Sequence, residues 1–368
     1  MIFKENYIDF TKEPLFFGKG RNVTRLDLSI EKWLLDLTDR ALGLTWFKHD
    51  FTYTKDAKDF YEIDSELQEL FMKNLKFQTL LDSVAERSVS EVFKPITTNP
   101  QLETWWTVHA FQESIHSQTY AELVKALPIN ASLEFDDIMF NPYILNRGKL
   151  LTDVFNEIAK YNSRRVLSDH IDYDEYYHKK LLVKALYTLN ILEGGMFQSS
   201  FVTTYAFSEN SVMESSAKAI GKIHMDENNH LAITVYLINR LKKDDEYKQI
   251  FIELQDEIRQ MYIDAVQLDF MWIDYLFPEN KTINLLGLNR QILRQYVEYN
   301  INKVMKSIGL KPYNQVTSNP CKWVSKYVNV SNRQEALNES DGTNYLLGKL
   351  NKTLSDDWRF KLKGDYYE

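Results

Sequence analysis

The most informative stretch of this chain covers residues 113–120 and reads ESIHSQTY. In a helix, Glu113, His116 and Tyr120 occupy positions i, i+3 and i+7, so they share one face. A second stretch, residues 227–230 (ENNH), repeats the glutamate–histidine spacing. Two facing helices of this kind bring two carboxylates and two imidazoles into one cavity, which predicts a metal site inside a helical bundle.

Such a site needs two more carboxylates, and Asp82 and Glu193 are the candidates. Asp82 lies within residues 80–84 (LLDSV) and Glu193 ends residues 189–193 (LNILE), both otherwise apolar. Burying an unpaired carboxylate is costly, so each predicts a counter-charge nearby. The carboxylates of Asp82, Glu113, Glu193 and Glu227 would balance two ferrous ions, or two ferric ions with one bridging oxide. Oxygen and imidazole ligands suit iron, or alternatively manganese, better than they suit zinc.

One glutamate–histidine pair alone is weak support, because residues 175–178 (EYYH) form a third copy. That copy lies in a polar stretch at a predicted helix start, so we expect a solvated face there.

Tyr120 is either an ordinary core tyrosine or a redox-active phenol one turn from the metals. Phe197 and Phe201 follow Glu193 by four and eight residues. With Ile223, which precedes Glu227 by four, they predict a dry pocket around Tyr120.

Two glycines, Gly194 and Gly195, directly follow Glu193. Glycine in a helix interior costs about 1 kcal/mol relative to alanine. Either close helix packing requires them, or they mark a locally distorted turn that lets Glu193 change its coordination.

Apolar residues recur at helical spacing along most of the 368-residue chain, which predicts an all-α bundle. Together with the paired glutamate–histidine motifs, this would be a bundle of the ferritin-like dimetal type. The periodicity places helices at about 27–47, 65–87, 100–127, 150–168, 179–207, 211–241, 246–275 and 284–308. The chain would then divide into an N-terminal arm (1–26), a helical-bundle dimetal domain (27–334) and a flexible tail (335–368). The tail is rich in aromatic residues, so it either packs back onto the domain or docks on a partner.

Composition narrows the function further. The net charge of −8, without a sustained basic block, argues against nucleic-acid binding. No stretch has the length of a membrane span, and the first residues do not resemble a signal peptide. Cys321 is the only cysteine, which excludes an internal disulfide and fits a reducing, cytoplasmic setting (the host cytoplasm if the source is viral). We expect Cys321 to be a packing residue.

Taken together, these residues resemble the small subunit of class I ribonucleotide reductase, in particular the class Ia bacterial and phage type. The resemblance covers nearly the whole chain. Its matching segments are residues 12–18 (KEPLFFG), 74–83 (NLKFQTLLDS), 100–105 (PQLETW), 113–120 (ESIHSQTY), 226–230 (DENNH) and 345–348 (YLLG).

The resemblance implies a role for each candidate residue. The metal ligands would be Asp82, Glu113, His116, Glu193, Glu227 and His230. Tyr120 would carry a stable radical in a pocket lined by Phe197, Phe201 and Ile223. Trp46, hydrogen-bonded to Asp226 and on through His116, would start a long-range radical path, and Tyr345 in the tail would continue it. The resemblance also implies a homodimer, two iron ions per chain and a large subunit that binds and reduces ribonucleotides.

The sequence departs from the family at several positions. His109 stands where the family often has tryptophan, and Ala41 lies near a position that often holds glutamine. His224 and Met225 replace polar groups just before Asp226. These departures leave the metal ligands intact but bear on the radical path.

The nearest alternatives to a radical-generating subunit are a hydroxylase or oxidase of the same fold, an iron-storage protein, and a metal-free helical scaffold. In the scaffold, the acidic residues would point in unrelated directions.

Overall fold

The computed structural model describes residues 3–28, 30–168, 172–283 and 285–328, which form helices joined by loops. The predicted all-α fold is confirmed. The α-helices are α1 (Lys32–Gly43), α2 (Thr54–Glu62), α3 (Ser65–Ser88), α4 (Pro100–Ala126), α5 (Ala131–Ile138), α6 (Pro142–Val166), α7 (Glu175–Ile191), α8 (Phe197–Glu209), α9 (Glu214–Leu241), α10 (Asp245–Glu253), α11 (Gln255–Leu276), α12 (Arg290–Ser307) and α13 (Ser325–Val328).

The core of the bundle is built from α3, α4, α9 and the continuous pair α7–α8. Helix α3 packs along α4 and α8, while α9 packs against α4, α7 and α8. Around this core, α6, α11 and α12 add an outer layer, and α1 lies on α4. None of the helices in the described ranges is long and apolar enough to cross a membrane. Because the core helices pack against one another through their apolar faces, a site between them can be screened from water.

Helix starts follow local capping chemistry, which explains where the predicted boundaries were wrong. Asn99 accepts a hydrogen bond from the Leu102 N–H, and Pro100 occupies the first turn of α4. At the start of α6, the Asn141 side chain likewise accepts backbone N–H groups and Pro142 occupies the first turn. Helix α6 therefore begins eight residues before the predicted position 150. A proline is well tolerated in the first turn because its missing N–H would have no helical partner there.

Other predicted helices differ in extent. The predicted helix 246–275 is two helices, α10 and α11, which meet at Leu254. Helix α1 is shorter than the predicted helix 27–47, and α12 is shorter than the predicted helix 284–308. Helices α2 and α5 were not predicted, because each is about nine residues long and gives little periodic signal.

The chain widens into a π-helix at Leu192–Met196, between α7 and α8. This segment contains Glu193 and both glycines. A methyl group on Gly194 would lie 2.7 Å from Leu231 Cδ1 and from Val304 Cγ2, so a larger residue would collide with α9 and α12. Close packing and a distorted turn therefore occur together at the glycine pair. That the turn lets Glu193 change its coordination stays a prediction.

A buried ion pair fixes the far end of this π-helix. The Arg147 guanidinium pairs with the Asp269 carboxylate and also donates hydrogen bonds to Met196 O (2.8 Å) and Ser199 Oγ (2.8 Å). It lies 3.7 Å from the centre of the Phe77 ring. Burial lowers the pKa of Arg147 to about 10 and raises that of Asp269 to about 6. The charges stay paired because each offsets the cost of burying the other.

Replacing Arg147 by methionine should lower the free energy of unfolding by about 3–5 kcal/mol, because the Asp269 charge is left buried and unpaired. Urea unfolding followed by circular dichroism measures this loss. The double variant Arg147→Met/Asp269→Asn is the control and should recover most of the stability. If the double variant is no more stable than the single one, lost packing rather than the unpaired charge is responsible.

Candidate dimetal centre

The structure brings all six predicted ligands together at the centre of the bundle. Asp82 comes from α3, Glu113 and His116 from α4, Glu193 from the π-helix, and Glu227 and His230 from α9, and none is exposed to solvent. Their ligand atoms fall into two groups, in each of which the atoms lie within 4.8 Å of one another. One group holds Asp82, Glu113, His116 and Glu227, and the other holds His109, Glu113, Glu193 and His230.

Two glutamates span the space between the two groups. Glu113 places Oε1 3.0 Å from His230 Nδ1 and Oε2 3.5 Å from His116 Nδ1. Glu227 places Oε1 3.2 Å from His116 Nδ1 and Oε2 3.2 Å from His230 Nδ1. Each carboxylate thus offers one oxygen to each imidazole, which is the arrangement needed to bridge two cations. Asp82 and Glu193 lie at opposite ends, each in one group only.

The polar atoms of this cluster fit a pair of metal ions. Both oxygens of Glu113 and Glu193 lack a hydrogen-bond partner among the described residues, as do Asp82 Oδ2 and Glu227 Oε1. Unpaired buried carboxylate oxygens are expensive unless a cation lies among them. The donors are carboxylate oxygens and imidazole nitrogens, a set that suits iron and manganese. The scaffold alternative, in which the acidic residues point in unrelated directions, was wrong.

Hydrogen bonds behind the ligands fix the two imidazoles. His116 Nε2 lies 3.2 Å from Asp226 Oδ2, and His230 Nε2 lies 3.1 Å from Gln112 Oε1. With metal bound, each of these oxygens would accept a hydrogen bond from the Nε2–H group, which would leave the Nδ1 lone pair to face the ion. Sequence analysis missed Gln112. The signal for it was indirect, since a polar residue next to Glu113 and one turn from His116 fell on the buried side of α4.

The concentrated negative charge shifts the pKa values of the cluster. Burial, reinforced by the charge of Glu227, raises the pKa of Glu193 to about 7. Burial alone would lower the pKa of the His230 imidazole, but the charges of Glu227 and Glu113 raise it to about 10. Burial would raise the pKa of Glu113, yet its contacts with three imidazoles hold it well below its ordinary value. The cluster therefore attracts positive charge strongly, whether as protons or as metal ions.

Tyr120 lies one turn beyond His116 on α4 and is fully buried. Its hydroxyl makes no hydrogen bond to the described residues. Burial, together with the negative charges of Asp82 and Glu227, raises the pKa of this phenol well above its ordinary value. The hydroxyl is thus kept protonated next to the carboxylates.

The three residues predicted to line the Tyr120 pocket are also fully buried. The rings of Phe197 and Phe201 stack with 5.4 Å between centroids, and Ile223 lies on the facing helix α9. His224 stacks on Phe201 at 4.7 Å, and its Nδ1 lies 3.1 Å from the Tyr205 hydroxyl. That the three residues surround Tyr120 stays a prediction.

A hydrogen-bonded chain runs from Trp46 toward the cluster. The Trp46 indole N–H donates to Asp226 Oδ2 over 2.8 Å, and the same oxygen lies 3.2 Å from His116 Nε2. The rings of Trp46 and His116 are nearly parallel, 5.9 Å apart and inclined by 15°. Tyr345 and the predicted tail, residues 335–368, lie outside the described residues.

The third glutamate–histidine pair is not part of the centre. Helix α7 begins at Glu175, four residues before the predicted position 179. The prediction of a solvated face was wrong for His178, which is fully buried. His178 Nε2 lies 2.9 Å from Asn162 Oδ1 and its Nδ1 lies 3.0 Å from the Tyr173 hydroxyl. A histidine satisfied by neutral partners is typical of packing rather than of metal binding. Cys321 is likewise buried, which raises the pKa of its thiol to about 12 and makes it unreactive.

The fold and the paired carboxylate–imidazole clusters define the class of dinuclear carboxylate bundle proteins. Residues 29–320 match the family described as ribonucleotide reductase, small chain, and the chain belongs to that family. It is 33% identical to the ribonucleoside-diphosphate reductase subunit beta of Buchnera aphidicola from Acyrthosiphon pisum, covering 97% of each chain. It is 32% identical to subunit beta of reductase 1 from Escherichia coli O157:H7, covering 96% of this chain and 97% of that protein.

A solved structure agrees with the fold. The ribonucleotide reductase R2 subunit from Clostridium botulinum superposes with a TM-score of 0.75 at 24% identity, covering 90% of this chain and 98% of that one. At this identity the likeness supports the architecture alone. Family membership, which rests on the sequence matches, makes the chain an oxidoreductase subunit of the ribonucleoside-diphosphate reductase kind.

Proposed function

We propose that this chain uses a two-metal centre to oxidise Tyr120 to a stable radical, and that it passes the oxidising equivalent to a large subunit that reduces ribonucleotides. The observation that carries the proposal is the bridging arrangement of Glu113 and Glu227 between His116 and His230, with Tyr120 one turn away. We further propose that the two ions are iron, that the chain acts as a homodimer, and that the reaction takes place in the cytoplasm.

The ligand residues would hold the ions in fixed positions. Asp82 and His116 would complete one position and Glu193 and His230 the other. Glu113 and Glu227, which each contact both imidazoles, would be shared between them. When bound, two redox-active ions would supply the reduction of dioxygen and the oxidising power that removes an electron from Tyr120. Glu193 lies in the π-helix rather than in a regular α-helix, and this local distortion would let its carboxylate shift as the charge of the centre changes.

The surroundings of Tyr120 would protect the radical. The pocket residues Phe197, Phe201 and Ile223 are fully buried and apolar, so they would exclude water and small reductants. On oxidation the phenol must lose its proton, and Asp82, whose carboxylate acts directly on the phenol, would be the candidate acceptor. A hydroxylase would need open space for a substrate at Phe197 and Phe201, whose rings instead stack on each other.

The route to the large subunit would begin at Trp46. Asp226 Oδ2 accepts the Trp46 N–H and contacts His116, so a proton can shift along this chain when an electron leaves the indole. From Trp46 the route would continue to Tyr345 in the tail, whose end would dock on the large subunit.

Reconstitution of the full chain tests the proposal. The apoprotein is loaded with ferrous iron without oxygen, and oxygen is then admitted. We expect about two iron ions per chain, an electron paramagnetic resonance signal of a tyrosyl radical, and nucleotide reduction once a large subunit is added. Oxidation of an added organic substrate without a radical would instead identify a hydroxylase, and failure to bind metal would refute the proposal.

A further inference from the structure

His109 is a buried histidine that none of the roles above uses. It lies one turn before Glu113 on α4 and is fully buried. Its Nε2 lies 3.1 Å from Glu193 Oε1 and 3.2 Å from Glu113 Oε1. Neither ring nitrogen makes a hydrogen bond of normal geometry to the described residues. The Nε2 atom is therefore close to two carboxylates without being aimed at either.

His109 lies directly beside His230, one of the proposed ligands. Its ring stacks on His230, with 3.6 Å between centroids and 19° between planes. His230 Nδ1 lies 3.0 Å from Glu113 Oε1, the same oxygen that His109 Nε2 approaches. Two imidazole nitrogens and the oxygens of Glu113 and Glu193 thus surround one volume, all within 4.8 Å of one another.

Neighbouring rings hold the imidazole in this orientation. Trp105 lies 5.9 Å from His109 edge to face, and the tilted ring of Trp106 lies 5.9 Å away on another side. Together with the stack on His230, these contacts restrict rotation of the side chain. A ligand needs such support, because a metal site is effective only when its donors are held in place.

We propose that His109 is a seventh protein ligand of the dimetal centre, binding through Nε2 to the ion held by Glu193 and His230. This inference rests on the proposed function, because it concerns the same pair of ions. The centre becomes unequal as a result. One position has a single imidazole, His116, whereas the other has two, His109 and His230, and the two positions share the bridging glutamates.

The unequal ligand sets should give the two positions different metal preferences. Carboxylate ligands suit manganese, whereas imidazole suits iron and the later divalent metals, whose affinity for nitrogen is higher. The position with His109 and His230 should therefore select ferrous iron over manganese more strongly than the position with His116.

Pulsed electron paramagnetic resonance of the full chain tests the assignment, using Mn²⁺ as the probe and histidine labelled with ¹⁵N. The wild-type protein should show two directly coordinated imidazole nitrogens on one ion and one on the other. His109→Gln and His109→Trp should each lose one nitrogen coupling, and Mn²⁺ should bind about 10–100-fold more weakly at that position. The control is His178→Gln, which changes a buried histidine outside both clusters and should lose no coupling.

A crystal structure of the wild-type protein with Mn²⁺ gives an answer that does not depend on any variant folding. We expect a distance of about 2.0–2.3 Å between His109 Nε2 and the ion. Two bound ions with His109 more than about 3 Å away, or unchanged nitrogen couplings in His109→Gln, would overturn this inference alone and leave His109 as a neighbour of Glu193. Absence of any bound ion in the wild type would refute the proposed function as well.

Discussion

Tyr120→Phe should abolish the tyrosyl radical completely while the protein still binds both metal ions. Phenylalanine keeps the ring and its packing but has no hydroxyl, so no phenoxyl radical can form at this position. The Tyr120 hydroxyl makes no hydrogen bond to the described residues, so its removal leaves no polar group unpaired. The substitution should therefore change the redox chemistry with little effect on stability.

Reconstitution with ferrous iron and oxygen, followed by electron paramagnetic resonance and metal analysis, measures the effect. Tyr187→Phe is the matched control, because Tyr187 is also buried and its pKa is raised by burial alone, remote from the charges of the centre. That variant should keep the full signal. A signal of unchanged size and shape in Tyr120→Phe would show that another residue carries the radical.

The architecture could be predicted from sequence because long apolar stripes repeat at helical spacing. The exact ends could not, since they depend on single capping residues. The pair Asn141–Pro142 looks like a turn in the sequence, yet it is the first turn of α6, where the asparagine side chain accepts two backbone N–H groups. Short helices such as α5 are stabilised mainly by the neighbours they pack on, which periodicity does not report.

The clustering of the six candidate ligands could be predicted because spacing on one helix limits the geometry. Glu113 and His116 must share a face, and a buried acidic residue such as Asp82 needs a counter-charge. His109 lies four residues before Glu113 and so shares that face of α4, but it was not predicted as a ligand. Its approach to Glu193 depends on how α4 meets the π-helix. Contacts of this kind arise from tertiary packing, which a single sequence does not specify. For the same reason, His178 was wrongly predicted to be solvated.

Trp46→Phe should reduce nucleotide reduction to background while leaving the metal centre and the Tyr120 radical in place. Phenylalanine is far harder to oxidise than tryptophan and has no N–H to donate to Asp226. The Trp46 side chain is only 4% exposed and lies against His116 without belonging to either ligand group. Its loss should therefore break the route out of the centre without disturbing metal binding.

Three measurements on the same preparation separate this role from a structural one. Radical yield and affinity for the large subunit should match the wild type, while turnover is lost. Trp33→Phe is the control, because Trp33 stacks on Tyr236 at 4.4 Å, away from the chain of hydrogen bonds, and turnover should persist. Normal turnover in Trp46→Phe would remove Trp46 from the route. Loss of the radical itself would instead mean that the indole acts while the radical is being formed, because Asp226 keeps its contact with His116 in this variant and the ligands are unchanged.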